Sequence, residues 1–171
     1  MNYALGLTLL RVLFVPVVIL LLYLPVPGLV PALVFALLSL TDWLDGYVAR
    51  KYGQGTELGK FLDPLADKIL VLSVLVALAV QLRVEVFSVL ALLIRELAVM
   101  GLRCAVLERD GAVVAASKLA KWKTAVQMLA IFLLLLNVPQ LPLVKEIYYL
   151  SVVLAIVSGL EYFRDNRSCL K

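Results

Sequence analysis

Four aspartates, Asp42, Asp45, Asp63 and Asp67, interrupt a chain otherwise suited to lipid. They fall in Asp42-Trp43-Leu44-Asp45-Gly46-Tyr47-Val48-Ala49-Arg50 and, eight residues later, in Gly59-Lys60-Phe61-Leu62-Asp63-Pro64-Leu65-Ala66-Asp67. Carboxylates are costly at membrane depth, so a cluster of them there marks a functional site. Carboxylates held close together repel one another, and shared divalent cations keep all of them ionised. Two magnesium ions held this way can bridge a diphosphate. Phosphoryl-group transfer is mostly positioning plus charge neutralisation, and this inventory suits it. A carboxylate not saturated by metal can also take a proton from an attacking hydroxyl.

The rest of the composition narrows the metal. Histidine is absent and the two cysteines, Cys104 and Cys169, have no metal-type spacing. The expected cofactor is therefore a hard, oxygen-bound ion, Mg2+ or Mn2+, two per site. Cys104 is expected to be a small core residue, Cys169 lies in a polar tail, and no disulfide framework is expected. The chain is 64% hydrophobic with a mean hydropathy of +1.04. Soluble domains are about 45–50% apolar, so an integral membrane protein is expected. The net charge of +4 comes from Lys and Arg dispersed among apolar segments, with no basic arm. That pattern argues against nucleic acid and for cations facing anionic membrane lipids.

The positioning elements follow from the apolar runs and their breakers. Six spanning helices are predicted, at about 5–24, 29–50, 59–82, 86–107, 116–136 and 143–162. Each is long enough to cross the roughly 30 Å hydrocarbon core. The first run lacks a basic flank and a small-residue cleavage site, so it reads as a retained helix. The whole chain, 1–171, reads as one membrane-embedded domain. A loop at 51–58 carries Gly53 and Gly55. Asp42, Asp45, Gly46 and Ala49 then share one face of the second helix, and Gly59, Asp63 and Asp67 one face of the third. Gly46 and Ala49 leave that face free of bulk, and Pro64 falls in the first turn of the third helix or kinks it. Arg50, Lys51, Lys60, Lys68, Arg109, Lys118, Lys121, Lys123, Arg164, Arg167 and Lys171 fall on one side; only Arg83 and Lys145 fall on the other. By the positive-inside rule, both termini and the aspartates face the cytoplasm, at the plasma (inner) membrane.

Plainer readings weigh less. A single Asp at a helix end is usually a cap or a solvated group, but four at this spacing in so apolar a chain are not. The spacing does not fit a calcium-binding EF-hand loop. A cation or proton transporter also uses intramembrane acids, though such proteins more often show paired repeats and broken helices at mid-membrane.

The pattern Asp-x2-Asp-Gly-x2-Ala-Arg-x8-Gly-x3-Asp-x3-Asp resembles the signature of the CDP-alcohol phosphotransferase family at every fixed position. The six-helix plan is similar to that family's bundle. The resemblance implies a CDP-linked lipid donor, an alcohol acceptor and release of CMP. It implies that Asp42, Asp45 and Asp63 bind one metal, and Asp42, Asp63 and Asp67 a second. It further implies that Asp67 is the base toward the acceptor hydroxyl. Gly46, Ala49, Arg50, Thr56 and Gly59 match the donor-binding stretch, and Thr8 is a further donor-contact candidate. Leu7-Thr8-Leu9-Leu10-Arg11, Arg95-Glu96, Leu102-Arg103 and Ser117 to Gln127 resemble the phosphatidylglycerophosphate synthase branch, although that branch usually carries Gly where Ala120 stands. That likeness implies CDP-diacylglycerol as donor, glycerol 3-phosphate as acceptor and a homodimer. Inositol phosphate is the alternative acceptor.

An acceptor phosphate needs cations beside the metals, and Arg95, Arg103, Lys121 and Lys123 are the candidates. The lysines read equally well as snorkelling to headgroups. Glu96 and Arg103 could instead pair, seven residues apart. Trp43, Trp122, Tyr47, Tyr52, Tyr148, Tyr149 and Tyr162 fit interfacial belts. Ala98, Gly101 and Ala105 allow close helix packing, within the chain or across a dimer.

Overall fold

A computed structural model describes the backbone of residues 3–52, 57–110, 118–137 and 143–167, and the side chains of 11–41, 65, 66, 68–106, 119–137 and 143–167. Among the described residues the protein is all-helical, with six helices and no strand. They are α1 (Tyr3–Tyr23), α2 (Leu29–Tyr52), α3 (Glu57–Val80), α4 (Val86–Asp110), α5 (Lys118–Leu136) and α6 (Leu143–Asp165). The apolar runs predicted these elements to within a few residues. The 51–58 loop is shorter than expected: α2 continues through Tyr52 and α3 begins at Glu57. Pro64 therefore lies inside α3, beyond its first turn. Among the described residues, α5 at Leu119–Leu136 and α6 are long and apolar enough to cross a membrane. Shorter apolar stretches run through Arg11–Tyr23, Leu29–Thr41 and Lys68–Val80.

The chain forms two compact units, Met1–Arg83 with Ile131–Pro139, and Val84–Ala130 with Gln140–Lys171. In the first, α1 packs on α3 and α2. Val15 and Val18 of α1, Ala32, Phe35 and Leu38 of α2, and Leu70, Val74, Leu75 and Leu78 of α3 are buried at three- and four-residue spacing. The opposite faces stay apolar. Leu13, Val17 and Leu20 on α1, and Leu29, Leu33, Leu37 and Leu40 on α2, are all exposed. A helix that is apolar all round belongs in an apolar medium.

The far end of this unit is held by backbone carbonyls at helix ends. Gln81 Nε2 donates to Leu22 O at 2.8 Å, and Arg83 Nη1 to Leu134 O at 3.3 Å. These side chains cover terminal carbonyls of α1 and α5 that have no partner within their own helices. Partial burial lowers the Arg83 pKa from its ordinary value. α3 stops at Val80 rather than Leu82. Arg83 N–H returns to Leu78 O at 3.0 Å and Leu82 N–H to Ala79 O at 2.9 Å, with Leu82 left-handed at φ 58°. That is a Schellman close with leucine where glycine is usual. Gly28 abuts the end of α5: a Cβ there would lie 2.6 Å from Leu135 O.

In the second unit α4 packs on α6. Val89, Leu92, Val99, Leu102 and Val106 face inward, as do Val144, Tyr148, Val152 and Ala155. Two expectations are corrected here. Tyr148 is 1% exposed, not interfacial, because its hydroxyl finds Ser88 Oγ at 2.7 Å and so can be buried. Cys104 is exposed, not a core residue, because it lies off the stripe formed by Val99, Leu102 and Val106. Cys169 lies outside the described residues.

Candidate functional site

The aspartate motif sits on two continuous helices of the first unit. Asp42, Asp45, Gly46, Ala49 and Arg50 are in α2, and Gly59, Asp63 and Asp67 in α3. The side chains of the aspartates, of Ala49 and of Arg50 lie outside the described residues, as does all of Thr56. The backbone nonetheless supports the register argument. Asp42, Asp45, Gly46 and Ala49 occupy one face of α2 without a break in the helix, as do Gly59, Asp63 and Asp67 on α3. α2 and α3 touch one another and are separated in sequence only by residues 53–56. Thr8 lies in α1, which packs on both; its side chain lies outside the described residues. Thr41 begins the polar end of α2, where its hydroxyl bonds back to Leu37 O at 2.6 Å. The donor set is four carboxylates in a chain without histidine, which fits a hard divalent cation.

The cationic candidates are all in the second unit, and their surroundings differ. Arg95 is held on three sides. Its Nε donates to Ala155 O at 2.8 Å, Nη1 to Glu96 Oε1 at 2.8 Å and Nη2 to Ser158 Oγ at 2.7 Å. Gly159 makes room for this: a Cβ there would lie 3.1 Å from both Arg95 Cγ and Nε. The same Glu96 oxygen accepts a hydrogen bond from Lys123 Nζ. Glu96 and Lys123 are 4% and 6% exposed, so this is a buried ion group joining α4 to α5. The alternative pairing of Glu96 with Arg103 is not formed, because Glu96 turns toward α5.

Arg103 stacks instead on Tyr162, with the guanidinium carbon 5.5 Å from the ring centroid. Its buried Nε has no hydrogen-bond partner, and neither has the Tyr162 hydroxyl. Lys121 is exposed and so is its neighbour Trp122, in keeping with an interfacial position. Arg95 is thus already engaged by protein, whereas Arg103 keeps donor capacity. On the face of Ala98, Gly101 and Ala105, all three residues are exposed and a Cβ on Gly101 would meet nothing within 4 Å.

Among the described residues, four buried polar ones were not singled out from sequence as site residues: Arg11, Gln127, Ser151 and Ser158, at 3%, 3%, 0% and 2% exposure. A polar side chain inside an apolar run was the available signal. Gln127 is four residues beyond Lys123, so the two share a face of α5.

Comparison with known proteins agrees with the motif. The profile of the CDP-alcohol phosphatidyltransferase family matches residues 1–157. A Bacillus subtilis protein named CDP-diacylglycerol–glycerol-3-phosphate 3-phosphatidyltransferase is 44% identical over 152 residues, covering 86% of this chain and 78% of its own. Proteins of the same name from Rickettsia bellii and Haemophilus influenzae are 42% and 34% identical. They cover 92% and 99% of this chain, and 91% and 95% of their own lengths.

Proposed function

This chain belongs to the CDP-alcohol phosphatidyltransferase family, and we propose that it transfers a phosphatidyl group from CDP-diacylglycerol to glycerol 3-phosphate, giving phosphatidylglycerol phosphate and CMP. The observation that carries the chemistry is the aspartate register on α2 and α3. The acceptor rests on the names of relatives that cover nearly the whole chain.

Asp42, Asp45, Asp63 and Asp67 hold two divalent ions, Mg2+ or Mn2+, which when bound neutralise the diphosphate and the departing CMP. Asp67 takes the proton from the acceptor hydroxyl. The hydroxyl oxygen forms its bond to the β-phosphorus, the bond from that phosphorus to the CMP oxygen breaks, and CMP leaves. Gly46, Ala49 and Gly59 let the donor approach the helix backbone. Arg50, Thr56 and Thr8 contact the donor. Arg103 and Lys121 supply charge for the acceptor phosphate, with Arg95 and Lys123 behind them.

The whole chain acts as one membrane-embedded domain. It spans the plasma membrane six times with both termini in the cytoplasm, the side on which most of the Lys and Arg residues fall. A second copy packs on the open small-residue face of α4.

The test is CMP release by the detergent-purified protein. CDP-diacylglycerol and Mg2+ or Mn2+ are supplied with glycerol 3-phosphate or inositol phosphate in parallel. Release with glycerol 3-phosphate alone is expected. Release with the inositol compound alone overturns the acceptor and keeps the chemistry. No release with either, from folded and metal-loaded protein, overturns the reaction.

A further inference from the structure

Polar contacts recur along the seam between α4 and α6, rising together along both helices: Ser88 with Tyr148, Arg95 with Ala155 O and Ser158, and Arg103 with Tyr162. The first two are closed. The Ser88 and Tyr148 hydroxyls share a bond of 2.7 Å, and Arg95 donates to Ala155 O, Ser158 Oγ and Glu96 Oε1. The third is open. Arg103 stands eight residues, about two turns, beyond Arg95. Its guanidinium carbon lies 5.5 Å from the Tyr162 ring centroid, yet Arg103 Nε and the Tyr162 hydroxyl are both buried with no hydrogen-bond partner. Glu96 is turned to Arg95 and Lys123 instead.

Native proteins satisfy nearly all buried donors, so two orphans on one stacked pair call for a ligand. Stacking alone does not require them: Phe offers a similar face to a cation and has no hydroxyl to bury. The guanidinium Nε–H can only donate, and a phenol hydroxyl can donate as well. Their complement is a group that accepts, and the guanidinium adds positive charge and a planar fork suited to phosphate. The location bears on the source of that phosphate. Arg103 continues the buried stripe of Val99, Leu102 and Val106, and Tyr162 that of Ala155, Ser158 and Gly159. The outer faces carry Ile94 and Leu97 on α4, and Ile156 and Leu160 on α6. A lipid's chains would lie along those outer faces, so a small water-soluble phosphate fits the seam better than a lipid phosphodiester.

We propose that Tyr162 is a further binding residue: its hydroxyl and the Arg103 guanidinium form one oxyanion subsite for a phosphate monoester, built wholly from α4 and α6. It rests on the reading above only in identifying that monoester with the acceptor. Arg103 supplies the charge. Tyr162 adds one directed hydrogen bond and, by stacking, holds the guanidinium in place.

The test titrates glycerol 3-phosphate, inorganic phosphate and glycerol into the detergent-purified protein without donor or metal, and reads binding by calorimetry. Dihexanoylphosphatidylglycerol, a short-chain lipid, supplies the phosphodiester. The unaltered protein is compared with Tyr162→Phe and Arg103→Leu. The unaltered protein is expected to bind both phosphates and not glycerol. Tyr162→Phe keeps the stack and should weaken glycerol 3-phosphate binding by about tenfold, and Arg103→Leu should abolish it. Without ligand, Tyr162→Phe should melt at the same temperature or higher, because its orphan hydroxyl is gone. In turnover with CDP-diacylglycerol and Mg2+, it should raise KM for glycerol 3-phosphate by about tenfold and leave KM for CDP-diacylglycerol unchanged. Undiminished glycerol 3-phosphate affinity in Tyr162→Phe overturns the assignment, as does an unaltered protein that binds neither phosphate. A lower melting temperature of unliganded Tyr162→Phe also overturns it, by marking the hydroxyl as structural. So does a loss of affinity for the short-chain lipid alone, which would make this a headgroup site. If the unaltered protein binds glycerol 3-phosphate through this pair yet releases no CMP with it, the acceptor reading falls and the subsite stands. If CMP is released and Tyr162→Phe changes neither affinity nor KM, the subsite falls and the acceptor reading stands.

Discussion

The α2–α3 motif and the α4–α6 group both place charge within apolar helices, but they neutralise it differently. In α4–α6 the neutralisation is internal: Glu96 accepts from Arg95 and Lys123, and Arg95 is closed off further by Ala155 O and Ser158. The group is folded protein bonding to folded protein, and it ties α4 to α5 and α6. In the α2–α3 motif the face positions are Asp42, Asp45, Gly46 and Ala49, then Gly59, Asp63 and Asp67. Acids alternate there with small residues, and on the proposed reading bound cations neutralise them. The first arrangement should serve stability without ligand, and the second should serve turnover at the expense of stability when empty.

Substituting the motif should give the largest effect. Asp67→Asn is expected to lower CMP release by about 10^2–10^4-fold, the usual contribution of a positioned base. Near-normal turnover in this variant would remove Asp67 from that role. Asp42→Asn should in addition weaken Mg2+ binding, seen as a higher metal concentration for half-maximal rate. Removal of divalent ions with a chelator should abolish release, and added Mg2+ or Mn2+ should restore it; activity that survives chelation would separate the motif from metal.

The stability contrast is next in size. Glu96→Gln leaves two buried cations sharing a neutral amide and should cost about 3–5 kcal/mol, read as a fall in melting temperature in detergent. Asp45→Asn in metal-free protein should do the opposite and raise it, because repulsion is relieved. If both variants shift the melting temperature the same way, the two regions do not differ as described. Gly159→Ala pushes a methyl against an Arg95 side chain pinned by three partners, and should cost about 1–3 kcal/mol. The smallest effect is expected at Leu82, left-handed and 88% exposed. Leu82→Gly should raise stability by about 1 kcal/mol or less, since the strain relieved is partly offset by chain entropy.

The helices were legible in sequence because each is a long apolar run ended by Pro, Gly or a polar cluster. The α3 end was misread at Leu82 because an apolar residue in a left-handed cap carries no compositional signal. The family motif was also legible, since its spacing matches helical register and register is local. Partner choice across helices was not. Glu96 stands seven residues from Arg103 and 27 from Lys123, and spacing along one helix favours the first.

The sequence by itself therefore determined an all-helical, strongly apolar chain with an acidic motif in register on two adjacent helices. Those properties depend on residue type and on contacts within a few residues. Only the tertiary structure decided that Glu96 joins Arg95 to Lys123, that Tyr148 is buried on Ser88, that Cys104 is exposed and that Gln127 Nε2 makes no hydrogen bond. Each depends on how one helix is rotated against another, and that rotation is set by the packing of whole faces.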